Sequence, residues 1–114
     1  METKELISSY DETNDIFVGK ISEKNGYCVN YEFSKGIFLN IDKNNLPASI
    51  QINDASDVLN VEKNVLENPD VVILIECSGD EIDFELFIAD EMVYDKKSLN
   101  TFNIANFSYK IKAN

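Results

Sequence analysis

Carboxylates are the side chains in this sequence with most chemistry to offer. Asp80, Glu81, Asp83, Glu85, Asp90, Glu91 and Asp95 follow one another with no lysine until Lys96. A carboxylate pair that does acid–base work needs burial or a charged neighbour to push its two pKa values apart. Asp83 and Glu85 instead alternate with Ile82, Phe84 and Leu86. That pattern makes them the solvated face of an amphipathic strand, a surface suited to a basic protein partner. A second acidic run, Asp11-Glu12-Thr13-Asn14-Asp15, places oxygens at alternate positions as a calcium loop begins. It then departs from that pattern: Ile16 stands where the turn glycine belongs, and no Glu occupies the closing position. A local turn at the start of a strand is the expectation there.

Nucleophilic chemistry has little support. Ser8, Ser9, Cys28 and Cys77 have no histidine to activate them, because the chain has none, and no Gly-x-Ser-x-Gly elbow or phosphate-binding glycine loop is present. All ten basic residues are lysine, so the bidentate fork of arginine is missing as well. The net charge of -11 opposes direct binding to nucleic acid or an anionic membrane surface. Neither a cofactor nor a metal is expected, and the chain reads as a protein without enzymatic activity.

The elements that must position these residues are β-strands. At 114 residues and 44% hydrophobic, the chain reads as a single domain, 1–114, with one core. No apolar run approaches the ~20 residues that span a bilayer. The opening residues Met1 to Glu5 lack the regions of a signal peptide, and two cysteines are too few for a disulfide framework. A cytoplasmic location is the default expectation.

Alternation is clearest from Gly36 to Ala55. Ile37, Leu39 and Ile41 share one face, and Leu46, Ala48, Ile50 and Ile52 share it after the break Asp42-Lys43-Asn44-Asn45. A hairpin with a four-residue loop follows, pairing Ile41 with Leu46, Leu39 with Ala48 and Ile37 with Ile50. Before it, residues 1–14 read as a polar arm or short helix. Asp15–Ser22 reads as a strand, and Tyr27–Phe33 as another with Tyr27, Tyr31 and Phe33 packing in the core. These strands and the hairpin make a four-stranded meander. From Asp54 to Asn68 the period changes to that of a helix, capped by Asp54 or Ser56, breakable at Asn60 and stopped by Pro69.

Asp70 to Ser78 is apolar on both faces until Glu76. A strand covered on both sides, central in its sheet or at a homodimer interface, explains that. Glu81–Ala89 is the acidic strand, a short strand surrounds Met92–Tyr94, and Phe107–Lys112 is the last.

Three motifs in the first half resemble a known family. Tyr10-Asp11-x-x-x-Asp15-Ile16-Phe17, then Gly36-Ile37 with Asn40-Ile41-Asp42, then Ile50-Gln51-Ile52-Asn53-Asp54-Ala55-Ser56 are similar to the domain-of-unknown-function family 2283 (DUF2283). The likeness covers residues 9–67; the acidic hairpin and C-terminal strands, 70–112, lie outside it. Asn45 stands for the family's turn glycine, Ser49 for its small residue before Ile-Glu-Ile, and Gln51 for its glutamate. The resemblance implies a prokaryotic source and brings no activity. Some relatives are encoded beside small toxin-like proteins, which implies an antitoxin-like partner role.

The expected fold is thus mainly β, an antiparallel meander sheet of about seven or eight strands curled into a partial barrel, with one short helical segment after the central hairpin. The expected function is a non-catalytic protein-interaction module that binds a basic partner through Asp80, Glu81, Asp83, Glu85, Asp90, Glu91 and Asp95 or through an edge strand. Two other readings stand beside it: an inhibitor that mimics nucleic acid, and a small-molecule or metal-binding domain.

Overall fold

A computed structural model describes residues 1–113. The elements in chain order are β1 (Glu2–Asp11), β2 (Ile16–Ile21), β3 (Val29–Ser34), β4 (Ile37–Ile41), β5 (Pro47–Asn53), α1 (Ala55–Leu59), α2 (Lys63–Leu66), β6 (Val71–Ser78), β7 (Glu81–Ile88), β8 (Glu91–Leu99) and β9 (Phe107–Lys112). All nine strands belong to one sheet of order β3-β4-β5-β2-β1-β9-β6-β7-β8. Neighbours run antiparallel except β1 and β9, which are parallel.

The fold is therefore mainly β, with two short helices, and the sheet curls until its two edges almost close a barrel. At the seam, side chains replace a backbone ladder. The Tyr31 hydroxyl donates to Leu99 O at 2.9 Å, Ser98 Oγ donates to Phe33 O at 2.8 Å, and the Ser34 and Tyr94 hydroxyls meet at 2.8 Å. The barrel interior is filled by alternate residues of most strands; β1 contributes only Leu6, and no residue of β8 is fully buried. Phe17, Ile37, Leu39, Ile50, Ile52, Ile73, Ile75, Ile82, Phe84 and Leu86 are all sealed from solvent.

Several sequence expectations are corrected. Residues 2–11 form β1 rather than a polar arm or helix, which raises the strand number to nine. Their polar composition hid the strand because only Leu6 is buried. The first half is not a meander: β2 pairs with β1 and β5, not with β3. In the central hairpin Leu39 pairs with Ile50 and Ile37 with Ile52, two residues from the expected register. A bulge beside Ile41 absorbs the difference, and Asp42 ties the turn by accepting from the amides of Asn44 (2.8 Å) and Leu46 (3.1 Å). A two-residue shift returns every side chain to the same face, so the buried stripe is unchanged.

The helical segment is split at Asn60, whose φ of 54° ends α1. Asp54 occupies the N-cap position of α1 as expected, but its side chain makes no capping hydrogen bond. Asp15, 41 residues before Ser56, accepts from the Ser56 amide (3.1 Å) and the Ser56 hydroxyl (2.7 Å), while the Tyr10 hydroxyl donates to it at 2.6 Å. Burial works against the Asp15 charge, but the Tyr10 and Ser56 donors and Lys63 outweigh it and hold the carboxyl below its usual range. Partial desolvation and then the Asp15 carboxylate push the Tyr10 hydroxyl up to about 12.

Candidate interaction face

The acidic strand β7 alternates as its sequence requires: Ile82, Phe84, Leu86 and Ile88 are buried, while Asp83, Glu85 and Phe87 point outward and are half-buried. Its neighbours complete an outer face. Read across β9, β6, β7 and β8, one row is Lys112, Val72, Phe87 and Met92, and the next is Lys110, Leu74, Glu85 and Asp95. A third row is Ser108, Glu76, Asp83 and Lys97, in which Ser108 Oγ donates to Glu76 at 2.9 Å. The strand that is apolar on both faces is thus central, between β9 and β7. Its inner residues Val71, Ile73, Ile75 and Cys77 are buried, but its outer residues Val72 and Leu74 remain half-buried.

The seven sequence-predicted carboxylates fall into three places. Asp83, Glu85 and Asp95 share the outer face. Asp80 and Glu81 lie at the β6–β7 turn, where Gly79 takes a φ of 62° and Asp80 O accepts from the Asn100 amide at 2.7 Å. Asp90 and Glu91 lie at the opposite end of β7, a distance of about 24 Å for a strand of this length. There a tight turn puts Ala89 and Asp90 at φ 50° and 66°. Among the described residues the ion pairs are Lys4 with Glu2 and Glu23, and Lys24 with Asp42. All seven carboxylates are outside these pairs. Across β7 and β8, Asp83 stands opposite Lys97, and Glu85 stands opposite Asp95, a like-charge pair that costs the sheet stability.

Other candidates are consumed by structure. Asp11 accepts from the Asn14 amide (3.2 Å) and side-chain nitrogen (2.7 Å), so the acidic run forms the β1–β2 turn. Among the described residues no group of His, Cys, Asp and Glu could hold a metal ion. Cys77 is buried, and desolvation pushes its thiol up; Cys28 is exposed, and both are free. Tyr31 and Phe33 pack in the core as expected, whereas Tyr27 is exposed. Tyr27 and Cys28 line a surface hollow with Asp42 and Lys43, where Lys24 is held to Asp42 at 2.7 Å. No helix among the described residues is long and apolar enough to cross a membrane.

The carboxylates alone do not define this surface. Val72, Leu74, Phe87 and Met92 form an apolar strip beside them, and Lys110 and Lys112 lie on its far side. One signal was legible: Phe87 occupies the outward position that continues Asp83 and Glu85. The lysines gave none, because the neighbour of β6 across the sheet is not its neighbour in sequence. No family model, curated protein or solved structure compared with the chain matches it.

Proposed function

We propose that this protein is a non-catalytic interaction module of the cytoplasm, and that the outer face of β6, β7 and β8 is its contact surface. The observation that carries the reading is the juxtaposition of Asp83, Glu85 and Asp95, outside every ion pair among the described residues, with the half-exposed strip Val72, Leu74, Phe87 and Met92. An apolar strip can be desolvated, and a charged margin sets orientation and encounter rate. The partner that fits is a protein surface with lysine or arginine around an apolar centre. Free thiols, one of them exposed, suit a reducing compartment.

The separation of Asp80 and Glu81 from Asp90 and Glu91 favours this reading over nucleic-acid mimicry, which wants one continuous row of charge. The resemblance of residues 9–67 to DUF2283 belongs to the same proposal. Two of its motifs meet in the fold, Tyr10 and Asp15 from one and Ser56 from the other. An antitoxin-like role is the biological form this module would take. Paired affinity captures from the native cell, with the wild type and the Asp83→Lys, Glu85→Lys variant as baits, test the reading. A basic protein enriched on the wild type and lost from the variant is the expected result. Identical captures on both baits would overturn it.

A further inference from the structure

The geometry points to a specific partner surface: the outer face of β9-β6-β7-β8 is complementary to the same face of a second copy of this chain. This deepens the interaction-module reading and rests on it, since it names where the lysines come from. In two of its three rows the face runs from cations (Lys110, Lys112) through an apolar centre (Val72, Leu74, Phe87) to Met92 in one and carboxylates (Glu85, Asp95) in the other, while the third row, Ser108, Glu76, Asp83 and Lys97, has its carboxylates in the centre and its cation on β8. A surface ordered in this way complements itself under a two-fold axis.

With the axis parallel to the strands and between β6 and β7, β9 of one copy lies over β8 of the other, and β6 lies over β7. Lys110 then meets Asp95 of the second copy, and Val72 meets its Phe87. Leu74 packs on the stem of its Glu85. Sheets stacked face to face lie about 10 Å apart, a separation that interdigitating side chains fill. Glu76 faces the second copy's Asp83 in the third row, with Lys97, the cross-strand neighbour of Asp83, beside that contact. Lys110 and Lys112 are outside the ion pairs among the described residues, so both are available.

A charge exchange tests the pairing. Sedimentation equilibrium is run on the wild type, Lys110→Glu, Asp95→Lys and the double variant, with thermal melts to check that each is folded. Within one chain Lys110 and Asp95 stand three strands apart, about 14 Å, so rescue in the double variant requires two copies. The wild type should form dimers at roughly ten micromolar chain, a value ordinary for a small interface. Each single variant should weaken the dimer about tenfold, and the double variant should return to within about threefold of wild type. If either reversal disturbs folding, Lys110→Ala and Asp95→Ala supply the same comparison through a double-mutant cycle. A chain that stays monomeric to about 200 μM, or a double variant as weak as the singles, would overturn the pairing. A monomer whose face still captures a basic protein overturns only this inference. A dimer rescued by the exchange, with no charge-dependent capture of another protein, upholds it and removes the separate partner.

Discussion

Asp15 joins two distant parts of the chain, and replacing it with Asn separates its charge from its shape. Asn tolerates the left-handed backbone found here, φ 55°, so the turn itself is not strained by the change. The carboxylate receives three donors: the Tyr10 hydroxyl, the Ser56 hydroxyl and the Ser56 amide. A hydrogen bond to a charged group contributes about 1.5–3 kcal/mol, against about 0.5–1.5 for a neutral one. The site is only half-buried, so the loss summed over three bonds is discounted to about 2 kcal/mol. For a domain of this size that lowers Tm by roughly 8 °C. Asp15→Ala loses the acceptor and also the short polar side chain that lets Asp and Asn occupy the left-handed region, for about 3 kcal/mol or more. The folded pKa of Asp15 is depressed. Its stabilisation is therefore fully present above the unfolded value near ~4 and disappears as pH falls through the lower folded value. Urea melts of wild type and Asp15→Asn should differ at pH 7 and converge in strong acid. Tyr10, released from the carboxylate, should titrate below its present value near 12 in an ultraviolet titration. An Asp15→Asn protein that melts within about 1 °C of wild type at pH 7 would refute the cap.

Other positions test the remaining parts of the fold. Ile50→Asp puts an unpaired charge between Leu39 and Gly19, its cross-strand neighbours, at a cost of about 3–5 kcal/mol; chemical denaturation should find it largely unfolded. Ala89→Asn should stabilise by about 0.5–1 kcal/mol, because φ 50° in a two-residue hairpin turn suits Asn better than Ala; an unchanged or lower Tm argues against that turn. Tyr31→Phe removes the donor to Leu99 O and should cost about 1 kcal/mol, with faster hydrogen exchange confined to β3 and β8. Reversing Asp83 and Glu85 to Lys should alter stability by no more than about 0.5 kcal/mol each, since both sit outside ion pairs at a half-exposed face.

Local alternation made most strands legible. The pattern of Ile37 to Ile52 and of Ile82 to Ile88 reports burial of one face, and those are the faces that fill the core. What local pattern does not carry is pairing between distant strands. β1 has a single buried residue and is held by β2 and β9, one of them at the other end of the chain. The hairpin register missed by two because an Asx-type tie at Asp42 and a bulge beside Ile41 lengthen the turn without changing the face. Asp15 looked like part of a local turn, and its role as the cap of α1 depends on β2 lying beside β5. Asp83 and Glu85 of the outer face were visible in sequence for the same reason as the strands: they occupy the alternate positions of β7. Their cationic neighbours on β9 became visible only with the sheet order, which places the last strand between the first and the sixth.

The outer face is tested most directly by the rate at which a captured basic partner associates with the wild type and with Asp83→Lys, Glu85→Lys across a salt series. The wild-type rate should fall as salt shortens the screening length from about 10 Å at 0.1 M. The variant should associate more slowly at low salt and approach the wild-type rate at high salt. Equal rates for both proteins at every salt concentration would contradict a role for these carboxylates in recognition.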